Sequence, residues 1–107
     1  MSQVYRPGGK MSNADLAWLA GLLEGEGSFG NWGIEVCSTD RDVLERVSRL
    51  WGDRPIWIRS QAKSNIRCQP KTLYRVTLPL RSAIPLLRVL INQMGSRRQL
   101  QIKRLLC

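Results

Sequence analysis

Three small residues four apart, Ala17, Gly21 and Gly25, stand in a segment that otherwise has the apolar spacing of a helix. Ser12 and Asp15 read as a capping box that starts this helix, which is expected over residues 13–25. Leu16, Leu19, Leu22 and Leu23 supply its apolar face. A glycine inside a helix costs about 1 kcal/mol relative to alanine. A stripe with almost no side chain offsets that cost by letting another helix backbone come close, as in small-xxx-small pairs. A C-terminal cap would account for Gly25 and leave Gly21 unexplained. The chain has 107 residues and 12.2 kDa. That is room for one modest core, so a large binding cavity is expected to be shared with another chain.

The same helix ends in two glutamates, Glu24 and Glu26. A helix C-terminus carries the negative end of the macrodipole, where carboxylates are disfavoured. A divalent cation would offset this, since carboxylates and backbone carbonyls suit Mg²⁺. The last carbonyls of a helix lack partners within it, so that of Gly25 is a candidate ligand beside the Glu26 carboxylate. The competing reading is two surface acids in a tight turn.

The charges are segregated. All eight acids lie in residues 1–53 with five bases, a net of −3. From Arg54 onward there are twelve Lys or Arg and no acid, a net of +12 within an overall +9. A half-chain without carboxylates points to a polyanionic partner, nucleic acid before anionic membrane. There is no histidine, which excludes histidine-based general bases and metal ligands. Cys37, Cys68 and Cys107 are odd in number and follow no CxxC spacing, so neither a disulfide framework nor a zinc site is expected. No apolar run is long enough to span a membrane, and the first twenty residues lack the order of a signal peptide. The expected location is intracellular, in cytoplasm or an organelle matrix.

Beyond the first helix, residues 28–29 and 34–38 read as short strands around Gly30, Asn31 and Gly33. Thr39 and Asp42 suggest a second capping box, opening a helix over 40–51 with Val43, Leu44, Val47, Leu50 and Trp51 inward. Residues 55–63 and 72–80 read as strands, joined by a basic loop with Arg67, Pro70 and Lys71. A helix from Ser82 carries Ile84, Leu87, Leu90, Ile91 and Met94. Ser96 starts a last one with Leu100, Leu105 and Leu106. The class is α+β, in the order αββαββα with an extra C-terminal helix. Residues 1–11 read as a flexible arm, and 12–107 as one domain.

Side chains alternate across a strand. The third strand therefore sends Ile56 and Ile58 one way and Trp57, Arg59, Gln61 and Lys63 the other. The fourth sends Tyr74, Val76 and Leu78 to the core, and Leu73, Arg75 and Thr77 outward. Arg, Lys and Gln are side chains that reach base edges in a major groove, which favours nucleic acid over an ordinary solvated face.

The stretch Leu19-Ala20-Gly21-Leu22-Leu23-Glu24-Gly25-Glu26-Gly27, followed by Ser28 and Phe29, resembles the signature of the LAGLIDADG homing endonucleases. Leu-Ala-Gly-Leu matches directly. Leu23 replaces Ile, glutamates replace both aspartates, and Gly25 replaces the alanine. The resemblance continues more weakly through 34–40 and, by element order, over nearly the whole chain. It implies a homodimer that pairs its motif helices through Ala17, Gly21 and Gly25. It also implies an antiparallel sheet forming a saddle over duplex DNA. Glu26 with the Gly25 carbonyl would bind Mg²⁺, with Mn²⁺ or Ca²⁺ as substitutes. Arg97 and Arg98 would stabilise charge on the scissile phosphate, and Glu24 would support. The resemblance further implies DNA contacts from Trp57, Arg59, Gln61, Lys63, Arg67, Lys71, Arg75 and Thr77.

The chain departs from that pattern in three ways. Only nine residues separate Phe29 from Thr39, a short first hairpin that reduces base readout. The metal-site acid is Glu. No lysine stands beside Arg97 and Arg98, Lys103 being the nearest, and arginine is the poorer proton donor. The functional expectation is a site-specific DNA endonuclease cutting a long pseudo-palindromic site. The alternative is a non-cleaving module on the same scaffold, an intron maturase on RNA or a DNA-binding regulator. A membrane-surface role fits less well, because the bases lie on strands and on no amphipathic helix.

Overall fold

A computed structural model describes residues 11–61 and 71–106. The first helix, α1, runs Asn13–Glu26, and the Ser12 hydroxyl accepts the Asp15 N–H at 3.0 Å. The capping box predicted there is thus present on its serine side. Met11, placed in the arm from the sequence, is buried in the core. Residues 1–10 lie outside the described residues.

α1 passes directly into strand β1 (Gly27–Gly30), which pairs antiparallel with β2 (Gly33–Ser38) through the two-residue turn Asn31–Trp32. Gly33 has φ +132°, and a Cβ there would collide with the Leu78 carbonyl of the neighbouring strand. Only glycine meets both demands at this position. The Trp32 carbonyl accepts the Leu80 N–H at 3.1 Å, tying the turn to the strand-to-helix junction beside it.

Helix α2 runs Arg41–Leu50. Its cap is Asp40, whose carboxylate accepts the Asp42 N–H, so the predicted pair of Thr39 and Asp42 is replaced by one starting a residue later. Thr39 is exposed, and Ser38 serves the turn by accepting the Asp40 N–H. Leu44, Val47 and Trp51 are buried as expected, while Val43 is only half-buried. Gly52 and Asp53 then take positive φ.

Strand β3 (Trp57–Gln61) is shorter than expected, and β4 (Thr72–Pro79) ends one residue early. The four strands form one antiparallel sheet ordered β1-β2-β4-β3. Helix α3 (Leu80–Leu90) begins two residues before Ser82, with Pro79 as its cap. Pro79 offers no capping side chain, so the start is set by the end of β4 and by the Leu80–Trp32 bond. Pro85 lies inside α3 on an exposed position, where water can satisfy the carbonyl that loses its N–H partner. A 3₁₀ turn (Ile91–Gln93) leads to α4 (Ser96–Leu106).

The helices α1, α2 and α3 lie against one face of the sheet. Ile34, Val36, Val76 and Leu78 meet Leu16, Leu19, Leu23, Leu44, Val47, Trp51, Leu86, Leu87 and Leu90 in one core. Each such side chain contributes about 1.5–3 kcal/mol by leaving water. Ile102 anchors α4 to this core, whereas Leu100 is exposed. Ile58, on the opposite side of β3 from Trp57, is 58% exposed. It sits on the edge strand, where a register shift between Ile58 and Ser60 interrupts the alternation. Among the described residues, no helix is long and apolar enough to cross a membrane.

Candidate functional site

Two polar regions stand out. The first is where the C-terminus of α1 meets the N-terminus of α4. Glu24 accepts the Gly95 N–H through Oε1 at 2.6 Å, so its carboxylate sits at the start of α4, where a helix favours negative charge. Its carbonyl, one of the orphans at the end of α1, accepts from Arg98 Nε at 3.1 Å. Arg98 is only 7% exposed. It also donates to Gln101 Oε1 at 2.9 Å, and its guanidinium lies 5.3 Å from the Phe29 ring centroid. Burial, then the neighbouring Arg97, pulls its pKa down, and Glu24 opposes the shift.

The two glutamates and the two arginines therefore divide. Glu24 and Arg98 are committed to the junction. Glu26 and Arg97 are exposed beside it. The Leu23 carbonyl is taken by the Gly27 N–H and the Glu24 carbonyl by Arg98; that of Gly25 follows them at the exposed end of the helix. Ala17, Gly21 and Gly25 are all exposed, and a Cβ on Gly21 or Gly25 would meet nothing within 4 Å. The small stripe is thus an open face of the chain. Among the described residues, no three Asp, Glu or Cys side chains converge as a metal cage. The acid and carbonyl oxygens at residues 25–26 have the chemistry of a hard-cation site and form a partial donor set.

The second region is the face of the sheet that no described helix covers. Arg75 is exposed, Thr77 half-buried, and Trp57 is 55% exposed opposite Arg75 in the register. Cys37 stands opposite Arg75 on the other side, and Glu35 opposite Thr77. Arg59 lies in the register shift, without a partner of its own on β4. It reaches over β4 to Glu35 on β2, with Nη1 3.2 Å from Oε1 and 3.3 Å from the Cys37 sulfur. The Cys37 thiol donates to the same Oε1 at 3.0 Å. Burial and the Glu35 carboxylate push the Cys37 pKa up, so this sulfur stays a thiol at neutral pH.

Of the DNA-contact residues expected from the sequence, Trp57, Arg59, Arg75 and Thr77 come together on this face. Lys71 is exposed just before β4. Gln61 pairs with Thr72 beyond the register shift, so unbroken alternation from Trp57 to Lys63 does not hold. Lys63 and Arg67 lie outside the described residues. Glu35 and Cys37 were not anticipated on this face; their two-residue spacing on β2 was the signal available.

No family model, no curated protein and no solved structure matches this chain.

Proposed function

We propose that the chain is a homodimeric, divalent-metal-dependent endonuclease acting on a long, pseudo-palindromic site in double-stranded DNA. The observation that carries this reading is the division at the end of α1. A glutamate that ordinary surface chemistry would not favour at a helix C-terminus is kept exposed, beside an exposed glycine and an open small-residue stripe. The stripe suits the backbone of a second copy, which would bring a second Glu26 to the same place. Two chains also carry +18, the sign required for a phosphate backbone.

In this reading Glu26 and the Gly25 carbonyl hold Mg²⁺. Bound there, the ion would lower the pKa of a water and neutralise charge on the scissile phosphate. Arg97 offers an exposed guanidinium to the same phosphate. Arg98 acts through Glu24, fixing the helix end from which Glu26 projects. Arg59, Arg75, Thr77 and Trp57 face the duplex, with Lys71 at its margin.

A second reading is favoured by one observation. Arg98, a candidate for charge stabilisation, is only 7% exposed and already gives Nε and Nη1 donors to the protein. A non-cleaving DNA or RNA module on the same scaffold would need no free arginine there. Replacement of Glu26 by Gln separates the two. The endonuclease loses cutting by about 10²–10³-fold or more, while duplex affinity and melting temperature hold. Wild-type protein that binds duplex but leaves it intact in both Mg²⁺ and Mn²⁺ establishes the non-cleaving reading.

A further inference from the structure

We infer that Glu35 and Arg59 act as one composite reader of a G·C base pair in the major groove. The inference rests on the duplex-binding reading above. Glu35 is the only carboxylate on the four strands, and it sits on the face otherwise carrying Arg75 and Arg59. A carboxylate facing phosphates weakens binding by like-charge repulsion, so a surface built only to hold a polyanion has no use for it. Glu35 is nevertheless firmly set. Its side chain is only 16% exposed, and both Cys37 and Arg59 donate to its Oε1. That leaves Oε2 as the oxygen able to accept from a ligand.

Arg59 is the complementary half. The register shift at Ile58 and Ser60 gives it no partner on β4 and re-aims it across the sheet, and its side chain stays 54% exposed. A guanidinium has five N–H donors, so one can stay on Glu35 while others reach a base. The donor and acceptor pattern of the pair then matters. In a G·C pair, guanine O6 and the cytosine N4 amino group are hydrogen-bonded to each other, about 2.9 Å apart, with guanine N7 beside them. The free Glu35 oxygen and the Arg59 N–H groups not spent on Oε1 offer an acceptor and donors from one protein face, the pattern that edge requires: Arg59 to O6 and N7, Glu35 to N4. An A·T pair presents an amino donor and a carbonyl acceptor in the opposite arrangement to guanine's two acceptors, and lacks the bidentate site for arginine. The Cys37 thiol serves as a positioning group that fixes the carboxylate.

The test is selection of bound duplexes from a randomised pool, with wild-type protein, Glu35→Ala, Arg59→Ala and Glu35→Gln. Wild type should fix one G·C pair per half-site, and both alanine variants should lose preference at that same position by about 5- to 150-fold. Glu35→Gln keeps an acceptor oxygen and the side-chain volume, so it remains informative if the alanine variant folds poorly. With its amide oxygen accepting from Cys37 and Arg59, its NH₂ meets the cytosine amino group, so it should lose the preference at that position while binding all duplexes more tightly. Variants that change affinity for every duplex alike, with the selected profile unmoved, would overturn the inference and leave duplex binding intact. So would loss of preference at two different positions. A wild type that selects no duplex at all removes the functional reading itself, and this inference with it.

Discussion

The α1–α4 junction and the open sheet face are built from the same side chains, glutamate and arginine, in opposite states. At the junction the contacts run from side chain to backbone: Glu24 to the Gly95 N–H and Arg98 to the Glu24 carbonyl. On the sheet face they run from side chain to side chain, with Arg59 half exposed. Backbone groups cannot leave without unfolding a helix end, so the junction belongs to the fold. A side-chain pair in contact with water can exchange one partner for a ligand at little cost, since such pairs contribute only about 0–1 kcal/mol. The contrast separates residues that build the site from residues free to act in it.

The sharpest way to break that contrast is to treat the adjacent arginines alike. Arg98→Ala leaves the Glu24 carbonyl and Gln101 without their donor and removes the contact over Phe29. It should cost about 2–3 kcal/mol, lowering the melting temperature by roughly 10–20 °C. Arg98→Lys keeps the charge but not the fork and should recover less than half of the loss. Arg97→Ala, on an exposed side chain, should stay within about 0.5 kcal/mol. Equal losses at the two positions in thermal melts would dissolve the distinction.

Local chemistry was readable from the sequence; long-range commitments were not. Ser12 and Asp15 announce the start of α1, because a capping bond spans three residues and needs nothing else. The α+β class and the element order follow from periodicity. α3 starts two residues before the sequence predicts, because its start is set by the end of β4 and by the Leu80–Trp32 bond, whose partners lie 48 residues apart in sequence. The fate of Arg98 depends on a carbonyl 74 positions away, so Arg97 and Arg98 look alike in sequence. The predicted face from Trp57 to Lys63 failed where one extra residue shifts the register, and no residue type in Ile58-Arg59-Ser60 marks a bulge.

The open stripe on α1 sharpens the contrast from a third side, because it is neither committed nor charged. A Cβ at Gly21 meets nothing in the single chain. Gly21→Ala should therefore stabilise the isolated chain, by up to about 1 kcal/mol from helix propensity alone. Gly21→Leu should leave the monomer folded but hold two helices apart. If the proposed dimer forms through this stripe, sedimentation would show the leucine variant as monomer at concentrations where wild type dimerises. A leucine variant that dimerises normally would move the interface off this stripe.

The smallest effect lies at the other end of α1, and it tests whether a paired but water-exposed carboxylate contributes little. Asp15 bonds Arg46 on α2 at 3.1 Å, and Arg46 in turn lies 4.0 Å from the Trp18 ring. The Arg46 guanidinium, helped by Ser12 and opposed by slight burial, holds the Asp15 carboxyl below the ordinary aspartate value, about 3.9. A depressed carboxyl binds fewer protons when folded than when unfolded. Its contribution is therefore complete above that ordinary value and is lost as pH falls through the folded pKa. Because both partners stay in contact with water, the loss should be a few tenths of a kcal/mol, at most about 1. Melting curves of wild type and Asp15→Asn should differ slightly at pH 7 and converge below pH about 3. A gap that persists in acid would assign the effect of Asp15 to the geometry of the cap and remove the ion pair from the account.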